Sequence, residues 1–245
     1  MNIRLLLNRF ERLAWVMGSA RLLRALLAHG VLAGAEHRRV LKHELKTVVD
    51  IGANKGQFSL AARRWAPGAR VVAFEPLPGP ADVFCRIFAG DGRVILHPVA
   101  IGPVAAIQTM HRSAREDSSS LLPISDAQAT TFPGTQEIGT AQVRVAALEE
   151  FLRPEDLPSP ALLKLDVQGY EFEALQGCES LLHCFDRVYC ECSFVEFYTG
   201  QKLADDVIAW LAQRGFELER MCNPITDGER TLQADFLFRR MGSPA

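Results

Sequence analysis

The chain has 245 residues, 48% hydrophobic and 23% charged, with a formal net charge of -2. That length buries one substantial core, and the composition is that of a globular protein. The charge balance gives no reason to expect a nucleic-acid partner, and no apolar run reaches the roughly 20 residues of a membrane helix.

The first predicted element is a helix from about Ile3 to Leu27. Leu6, Phe10, Leu13, Met17, Leu22 and Leu26 recur at helical spacing, while Arg4, Arg9, Arg12, Arg21 and Arg24 make the other side basic, opposed only by Glu11. Such a helix packs on its own domain or on a partner subunit of a homodimer, or it lies on an anionic membrane surface. The N-terminus lacks the cleavage site and unbroken apolar block of a signal peptide. The expected compartment is therefore the cytoplasm, with a membrane-peripheral position as the alternative. Gly30 to Gly34 breaks the pattern and a short helix around Glu36 to Leu45 follows. Residues 1–45 are read as a helical extension ahead of one domain over 46–245.

Thr47-Val-Val-Asp-Ile-Gly-Ala-Asn-Lys-Gly-Gln-Phe58 reads as a buried strand, a glycine turn and a helix start. Apolar residues on both faces of the strand predict a parallel sheet. Gly52 and Gly56 let the backbone turn sharply and approach a ligand. Asp50 stands at the strand's carboxyl end, where open α/β sheets bind ligands. Arg70 to Glu75 gives a second strand ending in an acid, where a nucleotide's ribose hydroxyls are held. A dinucleotide fold typically places Gly-x-Gly-x-x-Gly at this turn, so that bare amides meet a pyrophosphate. Here an acid replaces the first glycine. It would repel a pyrophosphate and suit the cationic end of S-adenosylmethionine (SAM).

Strand and helix then alternate: Gln57 to Trp65 helical, Val71 to Glu75 strand, Pro80 to Phe88 helical, Val94 to Val99 strand. That order predicts a doubly wound parallel sheet with right-handed crossovers. Between Ile101 and Ser159 no clear crossover helix appears. Ile107 to His111 and Val143 to Val145 read as strands, Leu148 to Leu152 as a brief helix, and Ser113 to Ser120 and Ser125 to Ala141 as polar loop. We read this as a β-rich insertion over the ligand-binding edge. Ala161 to Asp166 resumes the parallel pattern, followed by a helix from Gly169 to Leu182, a strand from Arg187 to Glu191 and a helix from Leu203 to Arg214 closed by Gly215. Phe216 to Met221 and Leu232 to Phe238 form a last strand pair, joined by a turn at Asn223 to Gly228.

The six cysteines form no C-x-x-C pair, and reduced, mostly buried thiols are expected. Among the histidines, His97 lies within a strand and reads as core, and His111 borders the polar insertion as a minor candidate base.

Taken together, the Val-Val-Asp-Ile-Gly-Ala-Asn-Lys-Gly-Gln-Phe turn, Phe-Glu-Pro-Leu-Pro, the serine cluster, Leu-Lys-Leu-Asp-Val-Gln-Gly-Tyr-Glu, and Glu-Cys-Ser-Phe with a downstream Tyr-Thr-Gly-Gln resemble the FkbM-type methyltransferases over roughly Thr47 to Arg240. The resemblance implies an α/β, Rossmann-like seven-stranded methyltransferase sheet with its last strand antiparallel. It implies SAM as cofactor and transfer to a hydroxyl of a sugar, polyketide, or glycan- or lipid-linked acceptor. Asp50, Gly52, Asn54 and Gly56 are then expected around the methionine end, with Ala53 and Phe58 also in the cofactor site. Glu75 and Pro76 are expected at the ribose, and Val99 and Ala100 near the adenine.

A hydroxyl is a poor nucleophile, so a base must take its proton or a metal must acidify it. Asp166 and Glu191 end neighbouring strands, Glu171 opens the next helix, and Lys164 shares a strand face with Asp166. In the first reading Asp166 or Glu191 is the base, or orients the acceptor, with no metal. In the second they bind a divalent cation with one more oxygen ligand. Glu171 also reads as a helix N-terminal acid, Lys164 as half of a buried ion pair, and Glu191 as a solvated strand end. Ser118, Ser119 and Ser120 contact a ligand or form a plain turn, and Tyr198 touches substrate or packs. The competing functional classes are a nucleotide-dependent oxidoreductase and a non-catalytic methyltransferase-like scaffold.

Overall fold

A computed structural model describes residues 19–42 and 44–242. Two sheets organise them. The larger has seven strands: β1 (Thr47–Ile51), β2 (Arg70–Phe74), β3 (Val94–His97), β7 (Ala161–Leu165), β8 (Arg187–Ser193), β9 (Phe216–Asp227) and β10 (Arg230–Arg240). Their spatial order is β3-β2-β1-β7-β8-β10-β9. β1 pairs in parallel with both β2 and β7, while β10 is antiparallel to both neighbours. The chain reverses direction beside β1, and the crevice at that switch point is where such sheets take ligands.

β1 occupies the centre because its apolar residues suit a strand covered on both faces. All five of its residues are buried. Helix α2 (Gln57–Trp65) follows and turns Phe58, Leu60, Ala61 and Ala62 inward. Helix α3 (Pro78–Ile87) opens with prolines in its first turn, where no intrahelical N–H is needed, and buries Phe84. A fully buried side chain of that size contributes about 1.5–3 kcal/mol.

The β-rich insertion is a separate three-stranded sheet of β4 (Ala100–Ile101), β5 (Ala106–Ser113) and β6 (Glu137–Ala146), in the order β4-β6-β5. Met110 and Val143 pack on Leu77 and set this sheet over the carboxyl ends of β1 and β2. The third expected strand therefore splits: it leaves the main sheet at His97, and Ala100 joins the insertion by pairing with Val145. The expected polar loop at Ser125 to Ala141 holds a short helix α4 (Asp126–Thr131), capped by the Ser125 side chain, and the first half of β6.

Four other expectations change. The helix expected over Gly169 to Leu182 is α5 (Glu171–Gly177) followed by a 3-10 turn at Glu179–Cys184. A Cβ at Gly177 would lie 2.6 Å from the Gly102 backbone, so two chain segments touch there. The helices expected at Leu148 to Leu152 and Glu36 to Leu45 are 3-10 turns at Leu148–Glu150 and Ala35–Arg39. The turn expected at Asn223 to Gly228 lies mostly inside β9. The hairpin closes on Gly228 and Glu229 alone, with Gly228 at φ 58°. Gly215, at φ 82°, carries the chain from α6 (Ala204–Ala212) into β9.

Much of the predicted first helix, with Leu6, Phe10, Leu13, Met17, Arg4, Arg9 and Arg12, lies outside the described residues. Its later part is α1 (Ala20–His29), capped by Ser19 and ended by Gly30 at φ 66°. Leu22 and Ala25 of α1 pack with Val31 against Leu60, Phe84 and Phe88. Arg21 and Arg63 both bind Asp91. Leu27 is exposed. No helix among the described residues is long and apolar enough to cross a membrane. Cys178, Cys190 and Cys192 are buried, Cys85 is exposed, and all six cysteines are unbonded.

Candidate active site

The carboxyl ends of β1, β2 and β7 open with the insertion into one cavity of about 320 Å³. Its geometry starts at Gly52. The residue sits at φ 74°, and a Cβ there would fall 1.9 Å from the Asp166 carbonyl oxygen. Only glycine lets the β1 turn pass that close to the end of β7. Asn54, at φ 46°, continues the turn in a conformation its side chain tolerates. Its backbone N–H donates to Glu75 Oε2 at 2.9 Å, and Leu77 N–H donates to Glu75 Oε1 at 2.8 Å. Glu75 thereby fastens the turn after β1 to the turn after β2. Burial pushes its pKa up to about 7, against the pull of those two amide bonds.

Gly52, Ala53, Asn54, Phe58, Glu75, Pro76 and Ala100 all border the cavity; Asp50 and Gly56 do not. A Cβ at Gly56 would meet Phe88 at 2.7 Å, so this glycine serves packing. Asp50 is fully buried. Its Oδ2 accepts the Ser59 hydroxyl at 2.7 Å, and its Oδ1 lies 3.0 Å from Lys164 Nζ. The expectation that this carboxylate meets a cationic ligand is corrected. Asp50 and Lys164 are register partners on adjacent strands, so the charge is met within the protein.

Lys164 also donates to the Gly52 carbonyl at 3.0 Å and lies 3.9 Å from Asp166 Oδ2. Burial works to lower its pKa, and the Asp50 and Asp166 carboxylates outweigh that and raise it. Lys164 thus stays a cation that braces the turn.

Asp166 and Glu191 converge as expected from their strands, but through a third residue. Gln168, at φ 57°, donates one amide hydrogen to Asp166 Oδ1 at 2.7 Å and the other to Glu191 Oε2 at 3.1 Å. Tyr198 Oη lies 2.9 Å from Gln168 Oε1 and 3.1 Å from the Ser118 carbonyl, which ties the insertion to this acid pair. Burial and the neighbouring Asp166 and Glu171 carboxylates hold the Glu191 pKa well above the ordinary range. Sequence reasoning missed Gln168 as a site residue. Its only local signal is a polar residue before Gly169 in the Asp-Val-Gln-Gly turn.

Glu171 is buried away from the cavity, with its Oε1 accepting the Val167 and Gly169 amides at 2.9 and 3.2 Å. The turn it braces is the one that presents Asp166 and Gln168, so its expected catalytic place gives way to a structural one. Burial raises its pKa from 4.5 to about 7. A carboxyl with a raised folded pKa stabilises the fold below its unfolded value, and that contribution is lost as pH rises through about 7. Glu171→Gln keeps the accepting oxygen and removes the titration. The melting temperature of the variant should fall less than that of wild type between about pH 5 and about pH 8; parallel curves would refute the assignment.

The remaining candidates divide. Ser118 and Ser119 border the cavity, while Ser120 pairs with His111 in a β-bridge. His97 stacks on Phe74 and meets Phe151 at a tilt. His111 binds Glu137 at 2.9 Å away from the cavity. Tyr198 is packed, 2% exposed. Among the described residues no group of three or more His, Cys, Asp and Glu is arranged to hold a metal ion. His37, which the sequence reading passed over, does border the cavity.

Residues 50–218 match the model of the methyltransferase FkbM domain. Methyltransferase 1 of Beauveria bassiana is 28% identical over 144 residues, 54% of this chain and 58% of that protein. Methyltransferase sdnD of Sordaria araneosa is 28% identical over 203 residues, 71% of this chain and 74% of its own length. The 2-O-methyltransferase NoeI of Sinorhizobium fredii is 27% identical over 183 residues, covering 67% and 72%.

Proposed function

The chain belongs to the methyltransferase FkbM family, and from that membership we propose that it is a SAM-dependent O-methyltransferase. Its acceptor is a hydroxyl of a sugar, polyketide, or glycan- or lipid-linked molecule. The observation that carries the cofactor assignment is Glu75, buried at the tip of β2 on the cavity wall and held by two backbone amides. Each of its oxygens keeps a lone pair for a ribose hydroxyl. Gly52 and Ala53 border the same cavity beside it, and there we place the amino-acid end. SAM, when bound, supplies a methyl on a sulfonium whose sulfur leaves neutral, so the protein has only to align the acceptor and manage one proton.

Asp166 and Glu191 accept hydrogen bonds from the acceptor's hydroxyls and fix it beside the β1 turn. This reading uses no metal: Gln168 bridges the two acids through one oxygen of each, which leaves Asp166 Oδ2 and Glu191 Oε1 for the acceptor. The name of NoeI, a 2-O-methyltransferase, supports oxygen as the methylated atom. The outward side of the N-terminal helix, where Leu27 is exposed, is the surface we assign to a homodimer contact or to peripheral membrane attachment in the cytoplasm.

In Glu75→Ala the calorimetric Kd for SAM should rise about tenfold to 10²-fold, the loss of about 1.5–3 kcal/mol expected for hydrogen bonds to a charged group. Wild-type affinity in this variant would overturn the cofactor site. Labelled SAM incubated with glycan and lipid extracts identifies the acceptor.

A further inference from the structure

His37 and Asp235 lie outside the residues matched to the family, on the two flanks of the domain. Tertiary structure joins them through Tyr189. His37 Nδ1 lies 3.1 Å from Tyr189 Oη, and Tyr189 Oη donates to Asp235 Oδ2 at 2.7 Å. Asn223 Nδ2 donates to the same phenol at 3.1 Å and to the same carboxylate at 2.7 Å. A phenol has one hydrogen. With that hydrogen given to Asp235, the Tyr189 oxygen can only accept, so the hydrogen shared with His37 belongs to Nδ1. The free lone pair of the neutral ring is then on Nε2.

The ring is also held in place. It meets Phe58 edge-on at 4.9 Å and Tyr189 at 5.6 Å. A Cβ at Gly34 would collide with the ring, 2.8 Å from Nε2, so only glycine lets the backbone pack this close to His37. His37 borders the same cavity as Asp166 and Glu191. The charges that act on it are Asp235 of β10, Glu36 of its own turn, Lys164 of β7 and Asp166 just beyond. Burial, helped by the Lys164 cation, outweighs the three carboxylates and holds its pKa below the ordinary 6.5, which keeps the ring neutral near neutral pH.

We propose that His37 is the base that takes the acceptor hydroxyl's proton, aligned by the Tyr189–Asp235 relay. The inference rests on the O-methyltransferase reading above. As the acceptor oxygen bonds the methyl carbon, the C–S bond breaks with its electron pair going to sulfur, and the hydroxyl proton moves to Nε2. His37 afterwards releases that proton to water. Asp166 and Glu191 hold neighbouring polar groups of the acceptor, and Tyr189 and Asp235 are positioning residues.

Nitrogen-15 NMR of histidine-labelled protein, with the His37 signal identified by its loss in His37→Gln, tests the relay without turnover. The expected result is a neutral ring protonated on Nδ1, with that preference weakened in Tyr189→Phe. A hydrogen on Nε2 in wild type would overturn the proposal. In turnover with the labelled acceptor, His37→Gln should lose about 10²-fold or more in kcat at unchanged SAM affinity. Asp235→Asn removes an anion that raises the His37 pKa, so the acid limb of its kcat profile should move to lower pH. Should His37→Gln fail to fold, the histidine signal that shifts in Tyr189→Phe identifies the wild-type tautomer, and that tautomer and the Asp235→Asn profile still decide. If wild type binds SAM and His37→Gln methylates at full rate, the relay alone falls. If wild type binds no SAM, the methyltransferase reading falls and takes the relay with it.

Discussion

Asp166→Ala is expected to lower kcat by about 10²–10⁴-fold, the range for losing a group that orients a reacting partner or handles its proton. The fold should survive. The Asp166 side chain is 42% exposed at the end of β7, and surface changes of that kind shift stability by roughly 0.5 kcal/mol or less. Its bond from Gln168 is lost, but Gln168 keeps Glu191 and Tyr198 as partners. Labelled-methyl turnover and a thermal melt of the same preparation separate the two effects. Turnover within tenfold of wild type would show that the reaction does not take place beside the end of β7.

Lys164→Met is expected to cost about 3–5 kcal/mol of stability, the usual result of stranding one partner of a buried ion pair. Lys164 is the cation that meets Asp50, and Asp50 is fully buried. The Ser59 hydroxyl remains on Asp50 Oδ2, but a neutral donor does not compensate a full charge. The Gly52 carbonyl loses its donor in the same substitution, so the β1 turn loosens and SAM affinity should fall with stability. Asp50→Asn combined with Lys164→Met should recover part of the loss, because the stranded charge is gone. Urea unfolding of both single variants and the double variant measures that coupling. A loss below about 1 kcal/mol in Lys164→Met would show that the pair is not what holds the turn.

Both predictions depend on a contrast between local and distant information. The strand and turn at Thr47 to Phe58 were legible because their causes are local: apolar residues on both faces, then glycines where the backbone turns. The alternation through β3 and the return at Ala161 were legible for the same reason. The insertion was recognised as β-rich but misdrawn in detail. The short α4 depends on a Ser125 cap and on Gln128, 4% exposed, settling into the fold. The closing hairpin was misplaced because Asn223 and Gly228 both look like turn residues. β10 pairs with β9 as far as Asp227, and that pairing leaves only two residues for the loop.

The residues of the site divide in the same way. Glu75, Asp166 and Glu191 could be named from sequence because Glu75 and Asp166 directly follow apolar strands and Glu191 lies near the end of β8. Glu171 keeps two readings in sequence, because a helix-opening acid looks alike whether it faces the cavity or clamps its own turn. The FkbM-family resemblance, the parallel sheet and the acids at its rim were determined by sequence alone. They rest on short-range backbone and burial requirements. Which charges meet was decided only by tertiary structure: Asp50 with Lys164, Gln168 between two carboxylates, and His37 with Tyr189 across 152 positions of chain. Strand register and crossover choose those partners, and no window of adjacent residues contains both.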